Sequence, residues 1–455
     1  MWLTAASVVI ADRRLKRNDA GRSPLCLFTA RNRGRRGRTR GDTPCEPGTV
    51  GVGSFGIGVI RPRSPIYARR VSELPRFPEP LHVGRPNIGD RKRLQERIDT
   101  ALDRRWLSNG PLVLELEETV AALAGTAHCV ATCNGTVALQ LAARACGVEP
   151  GTEVIVPAFT WVATPHALSW IGVTPVFCDV DEETANLSPA LVKELIGPAT
   201  GGILGVHVFG RPCAVDELTD IAAAAGLPLM FDAAHGLGST YHGRPVGGFG
   251  SVEVFSFHAT KFINSFEGGA LVTDDPGIAA RARAMRNFGI GEDGLVQSHG
   301  TNAKMGEASA AMGLTSLENM DALMAYNSLN HDRYERGLEG LPGVSVRRQA
   351  PGERANHQYV VVEIDETAAG IHRDGVHEIL ERHNVRSRRY FHPGCHRHEP
   401  YRSRPEVHAP LPLPHTEGLS ERVLSLPTGS VIGAEEISGV CDIIRWAVGP
   451  TRTGM

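Results

Sequence analysis

Residues 254–261, VFSFHATK, end in Lys261, one of only five lysines among the 48 lysines and arginines of this chain. Apolar and small residues surround Lys261, and the glycine-rich segment FEGGA follows it at residues 266–270. A desolvated amine can lose its proton and form an imine with a carbonyl compound, which a guanidinium cannot do. The sequence therefore predicts that Lys261 is a Schiff-base lysine. The alternative is an ordinary solvated loop lysine.

The apolar run that leads to this lysine belongs to a longer alternation of strand and helix patterns. Strands are predicted at residues 129–133, 153–156, 175–179, 203–208, 227–231 and 252–257. Helices are predicted at residues 90–106, 114–123, 137–146, 160–170, 189–196 and 217–225, with Ser188 as one N-cap. Short apolar strands that alternate with helices predict an α/β fold, with a mostly parallel sheet covered on both faces.

Three regions are predicted along the chain. Residues 1–70 carry 15 basic and 4 acidic side chains and form a basic extension, residues 71–320 a large α/β domain, and residues 321–455 a small α+β domain. The extension fits a basic arm for RNA or membranes, a transit peptide, or disordered sequence. We favour disordered sequence and expect its deletion to leave activity intact. The rest of the chain is acidic, which argues against a nucleic-acid partner.

The cysteines and the hydropathy bear on the compartment. The nine cysteines are scattered without CxxC pairs, which is typical of reduced thiols in a cytoplasmic enzyme. No run of 18 apolar residues occurs, so the sequence predicts no membrane span.

Four groups besides Lys261 are expected at the carboxyl ends of the strands, where ligands collect in such sheets. Gly135 and Thr136 lie between a strand and a helix, where free N–H groups favour a phosphate. Asp232 ends a strand and could keep a pyridinium nitrogen protonated, or could instead cap a helix. Ser256 could bond the same phosphate, and Trp161 could stack on a planar cofactor or simply pack in the core.

With these residues in place, the chain resembles the DegT/DnrJ/EryC1/StrS family of sugar aminotransferases from about residue 75 to the C-terminus. The matching segments are LSNGP (107–111), NGT (134–136), VIVPAFT (154–160), DAAH (232–235), SFH (256–258) with Lys261, EGG (267–269) and GTN (300–302). The resemblance implies the pyridoxal-phosphate-dependent fold type I, with a seven-stranded large domain. The implied cofactor is pyridoxal 5'-phosphate, which passes through pyridoxamine phosphate.

The resemblance also implies roles around the cofactor ring. Lys261 would bind the cofactor as an imine and then shuttle protons, and Asp232 would pair with the pyridine nitrogen. His235, where many members carry glutamine, would approach the ring hydroxyl, and Trp161 would cover the ring face. Phe231 departs from the family, which commonly has an acidic residue before its aspartate.

For the phosphate, the resemblance implies Gly135, Thr136 and Ser256 from one chain. Asn302 resembles the residue that a neighbouring subunit donates to the same phosphate, so the active sites would be shared in a homodimer. Lys304 stands where arginine is often found.

The segment RRYFHPGCHRHEPY at residues 388–401 resembles that of enzymes that aminate C4 of dTDP-4-keto-6-deoxy sugars. Arg389, Tyr390, His392 and His396 are therefore candidate substrate contacts. Zinc binding is an alternative, but zinc ligands usually come in two separated clusters and this segment offers one, so no metal is predicted. A purely structural loop is the other alternative.

These features predict an aminotransferase that moves an amino group, with glutamate as the expected donor, to C4 of a dTDP-4-keto-6-deoxyhexose. An aminotransferase for a keto-cyclitol or another precursor on the same fold is an alternative. A related dehydratase is disfavoured, because those enzymes replace the lysine with histidine. A non-catalytic sensor is disfavoured because it need not keep an imine-forming amine.

Overall fold

The computed structural model describes residues 74–449, and the predictions made for residues 1–70 lie outside this range. Within it, seven strands form one large sheet and three form a smaller one. The large sheet contains β1 (His128–Thr132), β2 (Glu153–Pro157), β3 (Thr174–Cys178), β4 (Thr200–Val206), β5 (Leu229–Asp232), β6 (Val252–Ser256) and β7 (Gly269–Thr273). The smaller sheet contains β8 (Val344–Val346), β9 (Val360–Ile364) and β10 (Val423–Leu426).

The helices that surround these sheets are α1 (Arg91–Arg104), α2 (Pro111–Ala124), α3 (Gly135–Ala145), α4 (Ala163–Trp170), α5 (Pro189–Leu195), α6 (Val215–Ala225), α7 (Pro276–Arg286), α8 (Glu307–Leu317), α9 (Met320–Leu338), α10 (Arg373–Arg382), α11 (Pro414–Arg422) and α12 (Ala434–Val448). Shorter helical segments are Val208–Gly210, Glu366–Ala369, Cys395–Arg397, Tyr401–Ser403 and Pro405–His408. Two-residue ladders pair Leu81–His82 with Val385–Arg386, and Thr240–Tyr241 with Arg244–Pro245. No helix within residues 74–449 is long and apolar enough to cross a bilayer.

The large sheet has the strand order β1-β7-β6-β5-β4-β2-β3. Its neighbouring strands run parallel, except that β7 is antiparallel to both β1 and β6. The predicted α/β fold with a mostly parallel seven-stranded sheet is therefore confirmed. Parallel strands β4, β5 and β6 end at the same edge, which brings their carboxyl ends together.

Helices cover both faces of the large sheet, and alternate residues of each strand point to opposite faces. Both faces are therefore buried. Ile155 and Phe231 pack on one side, in a core that contains residues of α2, α5, α6 and α8. Val154 and Met230 pack on the other side, in a core that contains residues of α3, α4 and α7. Burial on both faces explains why these strands are continuous apolar runs.

The local sequence sets several helix ends. The Asp90 side chain accepts hydrogen bonds from the N–H groups of Lys92 and Arg93 at the start of α1. Pro111 opens α2, and Gly125, with a φ of 67°, ends it in the left-handed conformation that glycine adopts without strain. Helix α5 begins at Pro189 as predicted, but the Ser188 side chain makes no capping hydrogen bond.

One predicted helix begins later than expected, and one strand of the large sheet was not predicted. Helix α4 begins at Ala163 rather than at residue 160, because the chain bends at residues 158–160 after strand β2. Strand β7, with the sequence GALVT, was not predicted; it begins at Gly269, the second glycine of the pair that follows Glu267. The boundary near residue 320 between a large and a small domain stays a prediction. The smaller sheet and its core with α12 do lie beyond that residue.

Candidate active site

A cavity of about 320 Å³ lies at the carboxyl edge of the large sheet. Its lining includes most of the residues singled out in the sequence: Gly135, Thr136, Trp161, Asp232, His235, Ser256, Lys261 and Tyr390. A larger groove of about 1600 Å³ lies elsewhere, among charged residues such as Arg347 and Glu363, and contains none of them. Volume therefore does not identify the site here, whereas the convergence of the predicted residues does.

Lys261 follows strand β6 in a turn that its backbone N–H closes by donating to the carbonyl of His258 at 2.8 Å. Its Nζ lies 3.4 Å from the hydroxyl oxygen of Tyr359. Burial lowers the pKa of Lys261 to about 8, although nearby Asp232 opposes this shift. Lys261 is half-buried and its amine donates to Tyr359 in the cavity, which disfavours the solvated-loop alternative. Its amine is desolvated and a sizeable fraction is deprotonated just above neutral pH.

Asp232 is the last residue of β5 and is buried. Its carboxylate accepts hydrogen bonds from the hydroxyl of Thr164 at 2.8 Å and from the N–H of Ala234 at 3.0 Å. Burial raises the pKa of Asp232, and these two hydrogen bonds and the charge of Lys261 oppose the rise. A turn, not a helix, follows Asp232, so the helix N-cap alternative is wrong.

A concave group of backbone and hydroxyl donors lies at the start of helix α3. Gly135 and Thr136 are the first two residues of α3, and the Asn134 side chain caps it by accepting from the N–H of Val137 at 2.9 Å. A Cβ on Gly135 would lie 3.4 Å from the Ser256 hydroxyl oxygen, and one on Gly269 only 2.5 Å from the Gly135 nitrogen. This close approach leaves the first N–H groups of the helix and the Ser256 hydroxyl facing the cavity, where an anion is favoured.

His235 lines the cavity with a buried ring nitrogen, Nδ1, that has no hydrogen-bond partner. Burial, with the charge of Lys261, holds the pKa of His235 well below its usual range, so the ring is neutral at neutral pH. The carbonyl of His235 accepts from the side chains of Asn356 at 2.7 Å and Gln358 at 2.8 Å, which fixes its backbone. An orphaned buried nitrogen in a cavity indicates a ligand atom that pairs with it.

The aromatic residues at the cavity come from distant parts of the chain. Trp161 is 55% exposed and its ring meets that of Tyr390 edge to face at 6.0 Å, so packing in the core is wrong for this tryptophan. Tyr390 in turn lies 5.9 Å from Tyr359, nearly perpendicular to it. Tyr359 and Phe391 line the cavity and were missed in the sequence. Tyr359 directly precedes strand β9, and no motif in the sequence singled it out.

Three of the candidate substrate contacts do not line the cavity. Arg389 donates to the carboxylate of Asp374 at 3.1 Å. The other two are histidines paired with glutamates: His392 Nδ1 lies 3.3 Å from Glu421 Oε1, and His396 Nε2 lies 3.3 Å from Glu417 Oε1. Their role as contacts stays a prediction, for substrate atoms that extend beyond the cavity.

The zinc-binding alternative concerns the same segment, residues 388–401. The thiol of Cys395 is buried and donates to the carbonyl of Thr160 at 3.1 Å. Within residues 74–449, the side chains close enough to share a metal are those of His331, Asp332 and Glu335, outside this segment. The segment 392–398 therefore does not converge on a metal position.

Asn302 lies outside the cavity of its own chain and is exposed. It forms an isolated backbone bridge with Asn287, whose side chain accepts from Lys304 Nζ at 3.0 Å. Exposed apolar side chains are found nearby in the chain, at Phe288 and Val296. Donation of Asn302 to a neighbouring subunit stays a prediction.

Both the sequence and the fold of this chain are similar to those of known proteins. The model of the DegT/DnrJ/EryC1/StrS aminotransferase family matches residues 89–445. Among solved structures, DesI in the presence of its TDP-sugar product is 55% identical, with a TM-score of 0.79 over 82% of this chain and 94% of that one. DesV of S. venezuelae in complex with a ketimine intermediate is 33% identical, with a TM-score of 0.73 over 80% of this chain and 99% of that one. The synthase of 3-amino-5-hydroxybenzoic acid is 28% identical, with a TM-score of 0.73 over 82% and 99% of the two chains.

Proposed function

Because this chain belongs to the DegT/DnrJ/EryC1/StrS aminotransferase family, we propose that it transfers an amino group to the ketone of a nucleotide-linked sugar. Like other members of this family, it is an enzyme that depends on pyridoxal 5'-phosphate.

The donors and acceptors in the cavity fit this cofactor. The N–H groups of Gly135 and Thr136, at the N-terminus of α3, suit its phosphate, and so does the hydroxyl of Ser256 at the end of β6 beside them. The carboxylate of Asp232 suits its pyridinium nitrogen, and the unpaired Nδ1 of His235 suits its ring hydroxyl. We propose that these residues hold the cofactor.

Pyridoxal phosphate supplies an electron sink that makes the substrate carbon beside the nitrogen acidic. Lys261 Nζ would move a proton between the substrate carbon beside the nitrogen and the C4′ carbon of the cofactor. A pKa of about 8 allows the amine to change protonation state near neutral pH. The hydrogen bonds that Asp232 accepts from Thr164 and Ala234 favour its carboxylate form, which would in turn favour the protonated ring nitrogen. Trp161, which lines the cavity, would cover one face of the cofactor ring.

The proposed acceptor is C4 of a dTDP-4-keto-6-deoxyhexose. The observation that carries this proposal is the 55% identity, over 82% of the chain, with DesI, whose structure was determined in the presence of its TDP-sugar product. Tyr390 is the proposed contact to the sugar, because its ring lines the cavity beside Trp161. Glutamate is the proposed amino donor. We propose a cytoplasmic homodimer, with Asn302 of each subunit completing the phosphate site of the other.

A second candidate is amination of a cyclic, non-nucleotide precursor. The similarity to the synthase of 3-amino-5-hydroxybenzoic acid supports it. That similarity is 28% identity, against 55% for DesI over the same share of this chain, so the nucleotide sugar is favoured.

The proposal is tested by mixing the purified enzyme with glutamate and then with a panel of dTDP-, UDP- and GDP-keto sugars. Glutamate should shift the cofactor absorbance from its lysine-bound form to its amine form. Mass spectrometry should then detect an aminated dTDP sugar, and the position of the amine gives the regiochemistry. Amination of a cyclic ketone but of none of the sugars would favour the second candidate, and no absorbance shift with glutamate or glutamine would contradict transamination.

Borohydride reduction and peptide mapping test the covalent attachment. The cofactor should be trapped at Lys261, and the Lys261→Met variant should trap none. Lys193→Met is a matched control, because Lys193 is an exposed lysine of helix α5. A reduced adduct at another residue would refute the assignment of Lys261.

A further inference from the structure

Tyr359 reaches the catalytic lysine from a part of the chain nearly a hundred residues away. It directly precedes strand β9 of the smaller sheet, and its hydroxyl oxygen lies 3.4 Å from Lys261 Nζ, which donates to it. The same Nζ lies 5.7 Å from the centre of the Tyr359 ring. Among described residues, Tyr359 is the hydrogen-bond partner that the structure records for this amine.

The ring of Tyr359 is held in place on several sides. It packs against the rings of His235 at 4.7 Å, Phe209 at 5.8 Å and Tyr390 at 5.9 Å. Its neighbour Gln358 is tied through its N–H to the Asn356 side chain at 3.1 Å and through its side-chain amide to the His235 carbonyl at 2.8 Å. The hydroxyl is therefore presented to Lys261 by a rigid arrangement and not by a free loop side chain.

We propose that Tyr359 is a positioning residue whose hydroxyl accepts a hydrogen bond from the Lys261 amine whenever that amine is not bonded to the cofactor. The bond keeps Nζ directed into the cavity and stabilises its protonated form. This inference rests on the proposed function, in which the lysine amine is free of the cofactor between the two half-reactions.

The chemistry of the phenol suits this task. Burial raises the pKa of Tyr359, so the hydroxyl stays neutral and does not compete with Asp232 as an anion. Its oxygen then offers a lone pair to an ammonium in a desolvated cavity, where such a bond is worth more than in water. The other titratable groups that line the cavity are Asp232, His235, His258, Glu267 and Tyr390.

The test is the variant Tyr359→Phe, which keeps the ring and its packing and removes only the hydroxyl. In the full chain freed of cofactor, acetic anhydride labels neutral amines, and peptide mass spectrometry gives the rate at Lys261 as a function of pH. Loss of an acceptor for the ammonium should move the midpoint of this profile down by about one pH unit, so that labelling at pH 7 becomes roughly fivefold faster. A midpoint that is unchanged or raised would overturn the proposal.

Tyr390→Phe is the matched control, because its ring lines the same cavity but makes no recorded hydrogen bond to Lys261. Its labelling profile should match that of the parent enzyme, and an equal shift in both variants would also overturn the proposal. In the loaded enzyme, Tyr359→Phe should lower kcat about tenfold with KM for the sugar little changed. If the parent enzyme fails to aminate any sugar, the proposed function fails, but the labelling profile still decides the role of Tyr359.

Discussion

The hydroxyl of Thr164 donates a 2.8 Å hydrogen bond to the carboxylate of Asp232, and the hydroxyl of Thr160 lies 2.9 Å from that of Thr164. Thr164 is fully buried near the start of helix α4. We expect Thr164→Val to raise the pKa of Asp232, because it removes a bond that favours the carboxylate. Loss of a bond to a charged group should weaken cofactor binding about 10- to 100-fold, as measured by fluorescence titration of the cofactor-free enzyme.

Thr219→Val is the control for this change, since the Thr219 hydroxyl bonds only to a carbonyl of its own helix, α6. Cofactor affinity should be unaffected in that variant. Unchanged affinity in Thr164→Val across pH 6 to 9 would show that the threonine does not support the charge of Asp232.

Lys261 gives the cofactor-free protein a pH-dependent stability. Its folded pKa is about 8, against 10.5 for an ordinary lysine, so the unfolded chain holds the proton more tightly. The free energy of unfolding of the parent protein should therefore rise as pH increases from about 8 to about 10.5. Below about pH 8 the buried amine is charged, and the full cost of burying that charge lowers the free energy of unfolding. We expect Lys261→Met to raise the free energy of unfolding at pH 7 by on the order of 2–3 kcal/mol, measured by urea denaturation.

The difference between Lys261→Met and the parent should shrink as the pH approaches 10. Lys193→Met, which changes an exposed lysine, should differ little from the parent at either pH. Equal stability of Lys261→Met and the parent at pH 7 would mean that the amine is not desolvated.

A buried ion pair supports the strand that leads to the proposed phosphate site. Arg286 of α7 donates to the carboxylate of Glu117 of α2, and both side chains are almost fully buried. The same two side chains bond to the carbonyl and the N–H of Ala131 in β1, each at 2.8 Å. Arg286→Met would leave a buried carboxylate without its cation, so we expect a loss of about 3–5 kcal/mol in the free energy of unfolding.

The double variant Arg286→Met with Glu117→Leu should recover much of that loss, because it removes both charges. Arg382→Met breaks an exposed pair with Glu378 and should cost less than about 1 kcal/mol. A loss in Arg286→Met no larger than in Arg382→Met would show that the pair is not important for stability.

The fold and most of the site could be predicted because their signals are local. The apolar run before Lys261, the turn at Gly135 and the strand that ends at Asp232 each depend on a few neighbouring residues. Tyr359 could not be found in this way, since its approach to Lys261 depends on how the smaller sheet packs. The roles of Arg389 and His392 are equally non-local: their carboxylate partners, Asp374 and Glu421, lie elsewhere in the sequence.

The proposed sharing of active sites between subunits can be tested by mixing two inactive variants. Lys261→Met should be inactive because it lacks the imine-forming amine, and Asn302→Asp should be inactive because its charge repels the phosphate. In a twofold-symmetric dimer, a mixed pair has one site with both defects and one with neither, provided that Asn302 acts on the partner's cofactor. Refolding the two variants together in equal amounts should therefore restore about a quarter of the parent activity. About half of the dimers are mixed, and each mixed dimer has one intact site of two.

Lys261→Met refolded with Asp232→Asn is the control, because both residues line one cavity of the same chain. This mixture should restore no activity. Absence of activity in the first mixture would place Asn302 with its own subunit's site, or outside the site altogether.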